Sequence, residues 1–109
     1  MKLINKTPHE IRVLNKDGAV AKIYKPEGTP IRITQSETEL GEVDGVPFIR
    51  KQNEGVECLP PIKTGVGYIV SAILQSACPN RTDLYVPARL VRDEKGNVIG
   101  CKAFSQHQN

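Results

Sequence analysis

Residues 67–79 have the sequence GYIVSAILQSACP, and within them the pattern of apolar side chains changes from one typical of a strand to one typical of a helix. The first residues have the composition of a strand. Small and apolar side chains then recur at helical spacing, at Ile69, Ala72, Ile73 and Ser76. Ser71 can cap a short helix by accepting a hydrogen bond from an amide of its first turn. Pro79 should end that helix, because the residue before a proline is disfavoured in the α region. We therefore predict one short helix near residues 71–77.

Outside that stretch the dominant period is two, which is typical of β-strands. Alternating residues flank the turn NKDG at 15–18, and the segment ARLVRDEKGNVIGCKAF at 88–104 indicates a hairpin around DEKGN. QSETELGEVDG at 35–45 indicates a loop or a mobile edge, VPFIRK at 46–51 a short strand, and NEG at 53–55 a turn. The predicted fold class is mainly β, a small antiparallel sandwich or barrel with one short helix.

The length and composition of the chain predict a small cytosolic protein. A chain of 109 residues has room for one domain, residues 1–109, with a modest core. It has no apolar run long enough for a membrane span and no apolar region of a signal peptide at its start, so we expect it in the host cytosol. A small core with exposed strand edges predicts a homo-oligomer. Cys58, Cys78 and Cys101 lack the spacing of zinc ligands or of a disulfide framework, which predicts free thiols and no metal.

Charge is distributed unevenly. The net charge of +3 is too small to indicate binding to long nucleic acids. Counting Lys and Arg against Asp and Glu gives +4 for residues 1–36, −4 for residues 37–60 and +3 for residues 61–109. The acidic middle could pair with the basic parts, within the chain or across a dimer, or be a solvated loop.

Residues suited to catalysis are scattered. No serine or cysteine lies in a recognisable nucleophile signature, and the carboxylates at 37–44 and 93–94 lack the rigid support that an acid–base pair needs. Of the two histidines, His107 lies in the polar tail SQHQN, which we expect to fray. His9 heads a strand, and is either a ligand-binding residue or a turn residue whose ring bonds a backbone carbonyl. We predict a protein that is not an enzyme and needs no cofactor.

The segment PNRTD at 79–83, here called the polar knot, lies between two apolar runs. The planar guanidinium of Arg81 could hold a phosphate, with Asp83 orienting it and Thr82 adding a hydroxyl. The alternative is an internal Arg81–Asp83 pair that only rigidifies a turn. A ligand site here would also use stacking tyrosines, free amides near Ser71 and further cations. The predicted set is Arg81, Thr82, Asp83, Tyr85, Tyr68, Ser71, Arg89, Arg92 and His9.

Three stretches resemble a family of small phage and prophage proteins of about this length. They are LINKTPHEIRV at 3–13, GYIVSAILQSA at 67–77 and RTDLYVPARLVRDEKGNVIGC at 81–101. The family carries a Thr-Pro-His turn near the N-terminus and this C-terminal hairpin, and the resemblance covers residues 2–14 and 66–104. It implies a setting and no particular site residues. Small phage proteins often bind a host molecule, and one group, the nucleotide sponges, sequesters the cyclic nucleotide signals of bacterial immunity.

Two functions from different classes follow. The first is a phage-encoded, non-enzymatic sponge that sequesters a phosphate-bearing (cyclic) nucleotide at the polar knot and so blocks host defence. The second is a protein-interaction module, either an inhibitor of a host enzyme or a minor phage assembly factor. Its interface would be an apolar sheet face together with the acidic segment 37–57.

Overall fold

The computed structural model describes residues 1–106, which form eight strands and one short helix. The strands are β1 (Lys2–Asn5), β2 (Ile11–Leu14), β3 (Val20–Tyr24), β4 (Arg32–Val43), β5 (Val46–Glu57), β6 (Val66–Ile69), β7 (Leu84–Arg92) and β8 (Val98–Gln106), and the helix is α1 (Ala72–Ala77). The predicted class, mainly β with one short helix, is confirmed. Ser105 and Gln106, predicted to fray, belong to β8, and the rest of that tail, with His107, lies outside the described residues.

Six strands form one mixed sheet in the order β1-β6-β7-β8-β2-β3. The antiparallel pairs are β7–β8 and β2–β3, whereas β1–β6, β6–β7 and β2–β8 are parallel. A parallel bridge between Asn5 and Pro26 joins the two outer edges of the sheet at one end. The prediction of mainly antiparallel pairing did not include these parallel contacts, because they join segments far apart in the sequence and depend on a crossover connection.

The helix α1 is the crossover between the parallel strands β6 and β7. Ser71 caps it as predicted, since its Oγ accepts a hydrogen bond from the Leu74 amide at 3.3 Å, and the helix ends before Cys78. The buried side chain of Gln75 donates to the carbonyl oxygens of Leu84 and Ser105, both at 3.0 Å, and so fastens the helix to β7 and β8. The core beneath the helix comprises Ile31, Tyr68, Val70, Leu74 and Leu84.

Strands β4 and β5 form a separate two-stranded ribbon, residues 32–57, here called the arm. The prediction of a loop at 35–45 and a turn at 53–55 is wrong, because residues 35–43 and 53–55 lie within twelve-residue strands. The turn lies at Asp44 and Gly45, whose φ angles of 54° and 78° suit a two-residue hairpin connection. Much of the ribbon is polar on both faces, so it lacks the apolar alternation that marks a half-buried strand.

Candidate functional surfaces

The charged side chains of the polar knot bond to each other. Arg81 Nε donates to Asp83 Oδ1 at 2.8 Å, and Arg81 Nη2 donates to Asp83 Oδ2 at 2.7 Å and to the Pro60 carbonyl oxygen at 2.8 Å. The pair is largely buried, with exposed side-chain fractions of 15% for Arg81 and 9% for Asp83. The hydrogen bond from Arg81 holds the pKa of Asp83 below its ordinary value, against the opposing effect of burial. The two-pronged face of Arg81 is thus occupied, which is the arrangement of a rigid turn.

The tyrosines predicted to stack on a ligand do not form one platform. Tyr68 is 4% exposed and lies in the core, so its ring offers no face to a ligand. Tyr85 pairs with Ile69 across the β6–β7 ladder, and therefore lies on the opposite face of the sheet from Tyr68. Thr82 is exposed, and its carbonyl oxygen accepts a hydrogen bond from Gln106 Nε2 at 2.6 Å.

The remaining predicted residues lie in two other places. Ser71 and His9 line a groove described below, although His9 precedes strand β2 and lies in a turn. Arg89 is exposed within β7 at a φ of 51°. Arg92 is exposed at the end of that strand, where its Nη1 donates to the Gly96 carbonyl oxygen at 2.9 Å. The structure therefore divides the predicted site among the knot, the groove and the β7–β8 hairpin.

The Thr-Pro-His turn is built around Asn5, which is 1% exposed. Its Nδ2 donates to the carbonyl oxygens of His9 at 2.7 Å and Tyr24 at 2.9 Å. Its Oδ1 accepts from the Thr7 amide at 2.9 Å and from Thr7 Oγ1 at 2.7 Å. One buried amide thus holds the turn and ties it to the end of β3. Sequence reasoning chose His9 from this motif and missed Asn5, whose role requires the neighbouring strand.

A groove of about 810 Å³ lies between this turn, the start of α1 and the β7–β8 hairpin. Its lining is mostly apolar, with Leu90, Val98 and Ile99 on β7 and β8 each about half exposed. Polar groups come from Thr7, His9, Glu10, Arg12 and Ser71. Gly100 allows β8 to approach β2 closely here, because an added Cβ would lie 2.9 Å from Leu14 Cγ. The groove is an apolar cleft with a polar rim.

A second hollow, of about 590 Å³, lies between β1 and β3 and is basic. Lys2, Lys22 and Lys25 line it with a single carboxylate, that of Glu27. Lys22 Nζ lies 4.9 Å from the centre of the Tyr24 ring. Sequence reasoning missed this cluster, because Lys2 on β1 lies far in the sequence from Lys22 on β3 and from Lys25, which follows β3.

The two faces of the distal arm differ in chemistry. Residues paired across a ribbon share a face, and the pairs Val43–Val46, Gly41–Phe48 and Thr38–Arg50 all lie on one side. The pairs Glu37–Lys51, Glu39–Ile49 and Glu42–Pro47 lie on the other. The paired positions of the first side, here called the apolar face, therefore carry no carboxylate between 38 and 50, whereas those of the acidic face carry three. Large apolar side chains at least two-fifths exposed in this region are Leu40, Val43, Val46, Phe48 and Ile49.

Within residues 1–106, no three His, Cys, Asp or Glu side chains come together as a metal site. Cys58 is exposed, Cys78 half-buried and Cys101 buried, and burial raises the pKa of the Cys101 thiol.

Because α1 has only six residues, the described part of the chain contains no helix that could cross a bilayer.

Comparisons with protein-family profiles, with curated proteins and with solved structures give no significant match for this chain.

Proposed function

We propose that this chain is a non-catalytic protein-interaction module that acts through the distal part of its arm. The observation that carries this proposal is the cluster of large apolar side chains on a ribbon that projects beyond the core. Val43, Val46 and Phe48 are 53%, 55% and 50% exposed, and they share one face. Contiguous exposed apolar side chains with a polar border are typical of protein–protein contact sites.

The chemistry of the arm defines the kind of partner. The apolar face would fill an apolar cleft, and Glu37, Glu39 and Glu42 on the opposite face would favour basic residues around that cleft. At its base, Ile33 and Val56 pack against the core, so the arm is anchored where it leaves the body. The arm is therefore anchored at its base and apolar at its distal end, an arrangement suited to docking.

We expect photo-crosslinking to locate this contact. A photo-reactive phenylalanine analogue at position 48 should form a covalent adduct with a second protein chain, either another copy or a different protein, when the chain is expressed in bacterial cells, the setting that the phage resemblance implies. The matched control carries the same analogue at Val20 on β3, which is 51% exposed but lies away from the arm. Adducts no more abundant at position 48 than at position 20 would contradict the proposal, and mass spectrometry identifies the partner.

The basic hollow between β1 and β3, here called the lysine hollow, favours a second candidate function, the binding of a phosphate-bearing nucleotide by a phage sponge. Three ammonium groups around one concave surface suit phosphate oxygens better than the polar knot, where Arg81 already bonds a carboxylate. The side chains involved are exposed, so they remain accessible to a ligand. This candidate moves the proposed ligand site from the knot to the hollow.

A melting scan with cyclic and linear nucleotides tests this candidate. A specific nucleotide at a hundredfold excess over its dissociation constant should stabilise the protein by about 2.7 kcal/mol. The double variant Lys2→Gln/Lys25→Gln should lose most of that stabilisation, whereas Lys16→Gln, in the exposed β2–β3 turn, should retain it. A nucleotide-dependent shift that survives in the double variant would place the site elsewhere, and no shift with any nucleotide would argue against the sponge.

A further inference from the structure

We infer that the partner of the arm is a second copy of this chain, whose groove beside the Thr-Pro-His turn receives the apolar face of the arm. This inference rests on the proposed function and names the partner within it. It makes the protein a self-assembling module in which each chain carries both a docking element and its receptor.

The groove and the apolar face of the arm both expose large apolar side chains. The groove wall carries Leu90, Val98 and Ile99, which are 47%, 51% and 45% exposed. These side chains form a concave apolar surface, whereas the apolar face of the arm is a narrow projecting one. Contact between the two would remove both patches from water at once, and each square ångström of apolar surface removed is worth about 25 cal/mol.

The charge distribution favours a contact between the arm of one copy and the body of another over a contact between two arms. Residues 37–60, which include most of the arm, carry −4, so the other residues carry +7, because the whole chain carries +3. Two arms side by side would therefore repel, whereas an arm on the body of another chain is attracted. Arg12 is the basic residue of the groove lining, whereas Arg89 and Arg92 lie elsewhere on β7, so the attraction depends mainly on the positive charge of the whole body. Glu10, which pairs with Arg12 at 3.1 Å, is the carboxylate in the groove lining.

The geometry of one chain sets the symmetry of the assembly. The arm and the groove are different surfaces, so the contact is heterologous unless two chains exchange their arms reciprocally. Two chains close into a dimer when each inserts its arm into the groove of the other. Otherwise the contact repeats head to tail, and the assembly grows with concentration.

Sedimentation of complementary variants of the full chain tests the inference. An arm variant, Val46→Asp/Phe48→Asp, keeps the groove intact, and a groove variant, Leu90→Asp/Ile99→Asp, keeps the arm intact. Each variant alone should weaken self-association by about a hundredfold, as removal of central apolar contacts does in other interfaces. An equal mixture should recover association, because the intact arm of one variant meets the intact groove of the other. The control Val20→Asp, also on an exposed apolar residue, should assemble like the wild type.

The outcomes separate the alternatives. Undiminished assembly of the groove variant would indicate an arm–arm contact, and undiminished assembly of the arm variant a contact between bodies. Either result overturns the inference, as does a mixture that recovers nothing or a wild-type chain that stays at 12.0 kDa up to millimolar concentration. A monomeric wild type whose position 48 still crosslinks to a different protein would overturn only the second-copy partner and leave the proposed function standing.

Because an Asp substitution in the groove can also disturb folding, a charge reversal on the arm gives an independent measurement. Glu39→Lys/Glu42→Lys changes only the acidic face of the exposed ribbon. It should weaken assembly at low salt by tenfold or more, and the difference from the wild type should shrink as salt screens the charges. Equal assembly at low salt would overturn the electrostatic part of the inference.

Discussion

Replacing Asn5 with Ala is expected to lower the free energy of unfolding by about 3 to 4 kcal/mol, because it removes a buried side chain that bonds three partly buried backbone groups at once. The carbonyl oxygens of His9 and Tyr24 each lose a donor, and the Thr7 amide loses its acceptor. A loss of this size is a large fraction of the 5 to 15 kcal/mol typical of a small domain, on the order of a third. Urea unfolding followed by circular dichroism measures it.

Asn15 provides the matched control for Asn5. Its Oδ1 accepts hydrogen bonds from the amides of Asp17 and Ala19, both at 3.0 Å, but it lies in an exposed hairpin turn. Water can replace those bonds, so Asn15→Ala should cost under about 1 kcal/mol. Similar losses at the two positions would show that burial at Asn5 contributes nothing, and would contradict the central role given to it in the Thr-Pro-His turn.

Replacing Arg81 with Ala is expected to lower the free energy of unfolding by about 2 to 3 kcal/mol at pH 7, because it leaves the Asp83 carboxylate buried without its donors. It also releases the Pro60 carbonyl oxygen, which connects the knot to the linker before β6. Arg81→Lys should recover only part of the loss, since an ammonium group cannot make both parallel bonds to the carboxylate. Any ligand bound in the lysine hollow should keep its affinity in both variants.

The pH dependence of the same pair gives a second test. The pKa of Asp83 is lower in the folded chain than in the unfolded one, so its stabilisation is full above the unfolded value, about 3.9. That stabilisation is lost as the pH falls through the folded value. The difference in unfolding free energy between wild type and Asp83→Asn should therefore shrink from pH 7 to pH 3. A constant difference, or loss of ligand binding without loss of stability in Arg81→Ala, would contradict the structural role of the pair.

At the polar knot the sequence predicted the residues that interact but not the role of their interaction. The Arg-Thr-Asp order predicted both a ligand-holding arginine and an internal ion pair, and local sequence cannot choose between them. The choice depends on Pro60, 21 positions earlier, whose carbonyl oxygen fills a remaining donor of Arg81. The groove and the lysine hollow were not predicted, because each combines residues from strands that are distant in the sequence.

The sequence alone determined the local features of this protein. Ser71 and Pro79 bound the helix, Asp93 to Asn97 form the last hairpin turn, and the period of two places strands on both sides. These features follow from dihedral preferences and short-range hydrogen bonds, which neighbouring residues carry between them.

Only the tertiary structure decided the parallel pairing of β6 with β1 and β7, the extent of the arm and the burial of Asn5. Strand partners are chosen by long-range burial and backbone hydrogen bonding, which a period of two leaves open. The arm is a strand pair because each edge satisfies the backbone of the other, although its sequence is too polar to signal a half-buried strand. Asn5 is structural for the same reason, since two of its four partners become neighbours only when β3 folds beside it and the turn closes.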